Sequence, residues 1–363
     1  MAKVILISQI ALPFSGIGSW TTLYKNYIES ENHKIDYIVC EKPEYSFKGI
    51  KYSIVKPNLI TKFYRKYTKK RYLAYISALD AIIDTDEKYI IQIVDNFYIV
   101  EHIVKLLKKK KIRNKCYVQF FYHSFPPFLD NNGGETFFES INEFVLLTHQ
   151  SYLVHKSFYR SLPCKISILH NGIDNSRFFK LDKTDKLSLK REFNVLDKNI
   201  FIWCSKDVQK KGLHIILEVW KKVFPIHKNI ELWVIGCDSK QEQEGITYLG
   251  KIHNDSIAKY LQVADCYLFS SLCQEGFPLS LTEALHSGNY CIASNVGGVS
   301  EVLQNGNLGK LIEKPHFVGE WVEAIENYLT KTEVKQQFPS NLYTIESWIN
   351  NMNTIITNAK SCI

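Results

Sequence analysis

The sequence predicts an α/β protein built from two doubly wound parallel-sheet domains. Three observations carry that expectation. The chain has 363 residues, more than one hydrophobic core comfortably serves. Short β-branched runs alternate with longer helical patterns through both halves, as successive βαβ units require. A polar, charged stretch, residues 180–199 (KLDKTDKLSLKREFNVLDKN), separates the two series and reads as the linker region.

In chain order, KVILIS, IDYIVC, YIIQIV, CYVQFF and FVLLTH read as buried strands of the first half. TTLYKNYIES and VEHIVKLLKKKK supply helical patterns between them. In the second half the strands are NIFIWC, IELWVIG, CYLFSS and NYCIAS, and the helices between them are GLHIILEVWKKVF, NDSIAKYLQVA and PLSLTEALHSG. The expected organisation is a first domain over 1–180, a second over 181–340 and a terminal segment over 341–363. Ligands of such sheets bind beyond the carboxyl ends of the strands. Two facing sheets therefore imply one cleft between domains, with functional residues just after strands.

Composition narrows the class. Apolar residues make up 45% and charged residues 23%, an ordinary globular balance. No apolar run reaches the length of a bilayer span. The opening MAKVILISQI reads as a first strand rather than a signal peptide, because Gln9 interrupts it and no small-residue cleavage site follows. Nine cysteines and eleven histidines are scattered without CxxC or zinc-ligand spacing. Free buried thiols in a reducing cytoplasm and no metal site are the expectation. Residues 1–180 hold 26 Lys/Arg against 16 Asp/Glu, and the remainder 19 against 21. A basic first half calls for an anionic partner.

Three motifs bear on chemistry. SLCQEGFPLSLTEALHSG carries Glu275 and Glu283 after the strand CYLFSS. Gly276 permits a tight turn and Pro278 suits the first helical position, which puts Glu275 just before a helix and Glu283 inside it. The first-turn N–H groups can receive an anion. Taken alone, the pattern favours a helix-start carboxylate and a surface glutamate over chemistry. HNGIDNSRF, residues 170–178, is a turn in which Asp174 and Asn175 are placed to cap a helix. WCSKDVQKKG puts Lys206 and Lys211 at a strand's carboxyl end, where two cations suit a diphosphate; the plain alternative is two solvated lysines.

In this order these motifs resemble glycosyltransferases of the GT-B fold, specifically the large retaining family 4. The Glu275-x7-Glu283 stretch resembles that family's most diagnostic motif, NGIDNSRF its interdomain signature, and NVGGVSEVL (295–303) its Gly-Gly element. Lys206 and Lys211 keep the spacing of the family's strand-end Arg and Lys, with Ser205 in a glycine's place. The resemblance covers residues 165–313 and reaches the first half only by layout. It implies a metal-independent transferase without a cofactor, whose second domain holds a nucleotide-sugar, UDP being the expected base. It further implies that Glu283 takes the ribose hydroxyls and Glu275 the hexose hydroxyls. Gly276, Phe277, Pro278 and Leu279 line the donor, while Lys206 and Lys211 face the leaving diphosphate. Lysine for arginine at 206 keeps the charge but loses the bidentate fork.

In the first half, PFSGIGSW places Gly16 and Gly18 after the first strand, matching the family's glycine loop, though a GxG alone is a weak signal. His123 follows the strand CYVQFF; the resemblance implies a place near the transferred sugar, against a structural role by default. Asp84-x-Asp86 sits ahead of a strand rather than after one and reads as a turn, not a metal-binding DxD. Residues 61–76 interleave aromatics with lysines and arginines, a pattern that fits a solvated helix face or an interfacial helix on anionic lipid. Nucleic acid is not expected. His214 and His286 read as packing residues. The resulting expectation is a cytoplasmic, peripherally membrane-associated hexosyltransferase acting on a saccharide or lipid-linked saccharide in cell-surface polysaccharide, lipopolysaccharide or glycolipid synthesis. The alternatives are a two-carboxylate glycosidase, a nucleotide-sugar epimerase, and a non-catalytic nucleotide-sugar-binding protein.

Overall fold

A computed structural model describes residues 2–14, 19–56, 72–238, 243–330 and 338–363. The chain divides into two units, residues 1–171 with 345–363, and residues 172–344.

The first unit is a seven-stranded parallel sheet in the order β3-β2-β1-β4-β5-β6-β7. Its strands are β1 (Lys3–Ile7), β2 (Tyr37–Cys40), β3 (Lys51–Ile54), β4 (Tyr89–Val94), β5 (Cys116–Tyr122), β6 (Glu143–Leu146) and β7 (Lys165–Ile168). The central strands β4 and β5 are buried along their whole length, as a sheet covered on both faces demands. Helices α2 (Leu73–Asp80), α3 (Phe97–Lys109), α4 (Asn131–Ser140) and α5 (His149–Phe158) contribute to the core on one face, around Phe120, Phe138 and Phe144. The other face is covered by α1 (Ser19–Glu29) and by the last helix of the chain, α12 (Ile345–Lys360). Trp348, Met352, Ile355, Ile356 and Ala359 recur at helical spacing and bury one stripe of α12. The Trp348 ring meets Tyr24 and Tyr27, each 5.7 Å away edge-on.

Beneath α12 the register places Gln92, Gln119, Glu143 and Lys165 in one row across β4 to β7. Gln92 Nε2 donates to Gln119 Oε1 at 3.0 Å, and Gln119 Nε2 to Glu143 Oε2 at 2.7 Å. Ser167 and Lys165 serve the other Glu143 oxygen. A fully buried carboxylate is tolerated here because each oxygen is occupied.

The second unit is a six-stranded parallel sheet in the order β10-β9-β8-β11-β12-β13. Its strands are β8 (Asn199–Cys204), β9 (Ile230–Ile235), β10 (Ile246–Gly250), β11 (Cys266–Phe269), β12 (Tyr290–Ser294) and β13 (Lys310–Ile312). The helices are α6 (Lys183–Glu192), α7 (Leu213–Val223), α8 (Asn254–Val263), α9 (Leu279–His286), α10 (Val299–Val302) and α11 (Val318–Thr330). Trp203, Trp220 and Trp321 are among its fully buried side chains.

Several expectations need correcting. The charged stretch 180–199 is not a linker, because half of it forms α6. Asp182 caps that helix, accepting from Asp185 N–H. Lys186 and Lys190 from α6 pair with Asp265 at 3.0 and 2.6 Å, tying it to the sheet. The chain passes between units at Asn171/Gly172 and again at Thr344/Ile345. Four strands missing from the reading of the sequence, β3, β7, β10 and β13, are the edges of the two sheets. Their residues are mostly half-buried or exposed, so no continuous apolar run announces them.

Candidate active site

In the second sheet β8 lies beside β11, and the strand order reverses between them. The carboxyl ends at such a switch point are where a doubly wound sheet opens to a ligand. Two loops leave that point, residues 205–212 after β8 and 270–278 after β11, and backbone bonds join them. Leu272 N–H donates to the Lys210 carbonyl at 2.8 Å. Ser270 Oγ donates to the Lys211 carbonyl at 3.0 Å and accepts from Trp203 Nε1 at 3.0 Å. Gly212 has φ +72°, and a Cβ there would lie 2.0 Å from the Ser270 carbonyl oxygen. Only glycine fits such an approach.

Glu275 is held through one carboxylate oxygen and through its backbone. One carboxylate oxygen, Oε1, takes Lys211 Nζ and Ser271 Oγ, both at 2.5 Å, with the Cys273 thiol at 3.8 Å. The Lys211 and Glu275 side chains are 24% and 18% exposed, so this pair is less screened than a surface ion pair. The Glu275 carbonyl accepts the Gly298 N–H at 2.8 Å. Gly297, at φ +60°, leaves no room for a side chain, since a Cβ would lie 2.3 Å from that carbonyl oxygen and 2.6 Å from the Glu275 nitrogen. The Gly-Gly element is thus the seat of the Glu275 backbone. Its spacing from Glu275 is set by this contact.

Glu283 differs. It sits in α9, half-buried, and among the described residues no side chain donates a hydrogen bond to its carboxylate. Burial pushes its pKa up to about 7, and the Arg177 charge pulls in the other direction. Its own charge helps raise the Cys204 thiol and the Tyr267 hydroxyl, at the end of β8 and on β11, although burial is the larger cause for both. A desolvated carboxylate without donors is ready to accept hydrogen bonds from a ligand.

Arg177, which the reading of the sequence did not single out, belongs to the NGIDNSRF turn. It donates to the Asn254 carbonyl at 2.9 Å, and its guanidinium lies 5.2 Å from the Phe178 ring centre. Asp174 does not cap an α-helix; its Oδ1 accepts from Ser176 N–H and Oγ, closing the turn. Pro278 is the cap residue of α9 rather than its first helical position, with Leu279 following. Gly276 is not left-handed. Phe277 is buried against Tyr343, with ring centres 5.2 Å apart. Lys206 is exposed, whereas Lys211 is committed to Glu275, so the two expected diphosphate cations are not equivalent. His214 is exposed, contrary to a packing role, while His286 is buried with Nε2 2.8 Å from the Leu342 carbonyl.

In the first unit His123 follows β5 and faces Asp95, which follows the neighbouring β4. The Asp95 carboxylate accepts the His123 backbone N–H at 2.7 Å and lies 3.5 Å from Nδ1. The Trp20 indole stacks on the imidazole with ring centres 6.0 Å apart. Asp95 was missed from sequence; its one local signal is a position directly after a buried strand, and its left-handed backbone (φ +53°) is visible only in the structure. Asp84 forms the expected turn, accepting from Asp86 N–H at 2.9 Å. Gly16 and Gly18 lie outside the described residues, as does 57–71, which takes in most of the basic aromatic stretch 61–76.

Residues 185–344 match the family model "Glycosyl transferases group 1". That stretch is nearly the whole second unit and contains both glutamates and the Gly-Gly seat. Nearly all of the second unit is thus similar to group 1 glycosyl transferases. Among curated relatives, the Salmonella typhimurium lipopolysaccharide 1,2-N-acetylglucosaminetransferase is 22% identical over 282 residues, covering 70% of each chain. The Bacillus anthracis N-acetyl-alpha-D-glucosaminyl L-malate synthase is 31% identical over 172 residues, covering 44% of each chain. Among solved structures, Anabaena HepE in complex with UDP superposes with a TM-score of 0.73 at 12% identity, covering 98% of this chain and all of that one. The chain thus has the GT-B fold, two Rossmann-like parallel sheets.

Proposed function

We propose that the protein is a retaining, metal-independent family 4 glycosyltransferase. It moves a hexose-type sugar from a nucleotide-sugar, foremost a UDP-sugar, to a saccharide or lipid-linked saccharide acceptor. The observation that carries this reading is the Lys211–Glu275 pair, seated on Gly297–Gly298 at the β8/β11 switch point with the unpartnered Glu283 in the helix that follows. The UDP complex of the similar Anabaena protein supports the choice of base.

In this reading Glu283 accepts the ribose hydroxyls. Glu275 uses Oε2 for hexose hydroxyls, because Oε1 is already loaded by Lys211, Ser271 and Cys273. Breaking the donor's glycosidic bond builds negative charge on the leaving diphosphate, and fixed cations and N–H groups stabilise it without reorganising. Lys206 and the first-turn amides of α9 bear most of that task, while Lys211 adds its charge from beside Glu275. His123, oriented by Asp95, serves the reacting sugar from the first unit, which takes the acceptor. A cytoplasmic location at the inner face of a membrane accompanies a lipid-linked acceptor; among the described residues no helix is long and apolar enough to cross a bilayer.

The test is incubation with UDP- and GDP-sugars and a membrane extract, with and without EDTA. Transfer to lipid-linked material with retained anomeric configuration and no loss in EDTA is the expected result. Free sugar without acceptor points to a glycosidase, isomerised donor to an epimerase, and binding without turnover to a non-catalytic protein; each would overturn the reading.

A further inference from the structure

Tyr343 was not singled out by any motif, yet it touches three of them. Its ring packs edge-on against Phe277 of the Glu275 loop, with centres 5.2 Å apart. Its hydroxyl donates to the Glu301 carbonyl at 3.0 Å and accepts from Gln304 Nε2 at 2.8 Å, both just beyond the Gly-Gly seat. Its own carbonyl accepts the N–H of Ile173, in the NGID turn, at 2.8 Å. The next residue, Thr344, bridges Ile173 as well. The side chain is only 6% exposed, and burial pushes the phenol up to about 12, so it stays a neutral donor at physiological pH.

The backbone of Tyr343 is left-handed, with φ +58°. An aromatic residue rarely adopts that conformation, and such strain persists only where surrounding contacts over-determine it. Here they do: one ring contact, two hydroxyl bonds and one carbonyl bond fix the residue from three directions. Burial alone would be met by a tyrosine in ordinary extended backbone. The left-handed turn lets the side chain reach Phe277 and Glu301 while the carbonyl reaches Ile173.

We propose that Tyr343 is a positioning residue for the donor site, holding the Phe277 loop, the Gly-Gly segment and the NGID turn in register so that Glu275 and Glu283 meet the nucleotide-sugar correctly. This rests on the donor-site reading above. Tyr343 touches no substrate; it acts through Phe277 and through the helix that follows Gly298. Its loss loosens the loop that presents Glu275 and leaves acceptor recognition unchanged.

The experiment measures UDP and GDP affinity by calorimetry, and donor KM, acceptor KM and kcat, for wild type, Tyr343→Phe, Tyr343→Ala and Phe277→Leu. Tyr343→Ala is expected to weaken nucleotide binding and raise donor KM about tenfold with acceptor KM within twofold. Tyr343→Phe, which keeps the ring, should recover most of that loss. If the alanine variant does not fold, the pair Tyr343→Leu and Phe277→Leu, each of which removes the shared ring contact, decides: their combined effect on donor KM should fall short of the product of the single effects. Unchanged donor affinity in a folded alanine variant overturns the proposal, as do multiplicative effects in the pair, or equal losses on donor and acceptor. Wild-type protein that binds neither UDP nor GDP overturns the donor-site reading instead.

Discussion

The two sheets share a strand order about their switch points, β3-β2-β1-β4 in one unit and β10-β9-β8-β11 in the other, yet their carboxyl ends differ. In the second unit, loops from separate strands are bonded to each other through backbone: Lys210 to Leu272, and Glu275 to Gly298. In the first unit a backbone bond joins Asp95 to Phe121 at the strand ends, and the further contacts of His123 run through side chains, the Asp95 carboxylate accepting its N–H and Trp20 stacking on its ring. Backbone stitching restricts sequence far more than side-chain stacking, because close approach admits only glycine at Gly212 and Gly297. Close backbone approach accounts for the density of motifs in the second unit, against a weak glycine pair and one histidine in the first. A site that must present fixed charges to a leaving group benefits from preorganisation, and the second unit has it.

The comparison breaks most severely at Gly297. Gly297→Ala introduces a Cβ against the Glu275 backbone at a positive φ, and it is expected to lower turnover by more than about 100-fold, comparable to losing a transition-state donor. Activity within a few-fold of wild type would show that the seat is dispensable. Lys211→Ala comes next, with kcat about 10- to 100-fold lower and a smaller change in nucleotide affinity; stopped turnover assays set against UDP titration check the split. In the first unit, Asp95→Asn should cost less, about tenfold in kcat, with nucleotide affinity unchanged because the proposed function puts the donor in the other unit. A matching loss of UDP binding would erase the contrast between the units.

The smallest effect concerns stability. Glu283 has a folded pKa of about 7, above its ordinary value of 4.5. The folded state therefore holds a proton that the unfolded state has released. The associated stabilisation is full below the unfolded value and is lost as pH rises through about 7. Glu283→Gln should accordingly be more stable than wild type at pH 8, by about 1–3 kcal/mol at 1.36 kcal/mol per pKa unit, and gain little at pH 5. Denaturant melts at the two pH values measure this. An equal gain at both would assign the effect to something other than ionisation.

Much of the fold was legible because central strands such as YIIQIV and CYVQFF are buried on both faces and read as apolar runs. The edge strands were not, since half-exposed KYSI and KISI carry no such run. Residues 180–199 looked like a linker because α6 exposes most of its length and turns two of its lysines inward to a single carboxylate, Asp265. At the candidate site, Glu275, Glu283 and the glycines were visible as a pattern. Ser271, Asp95 and Tyr343 were not, because what singles them out is a side-chain bond across a loop, a contact to a residue distant in the chain, or a left-handed backbone.

On the proposed function, the second unit holds a preformed nucleotide-sugar site in which Glu283 receives the ribose. Calorimetric titration of UDP into wild type and Glu283→Ala in buffers of different ionisation enthalpy tests it most directly. Wild type should bind and release a fraction of a proton at pH 7, as ligand hydroxyls favour the ionised carboxylate, and Glu283→Ala should bind at least about tenfold more weakly without that release. Equal affinity in the two proteins, or binding with no buffer dependence, would contradict the account.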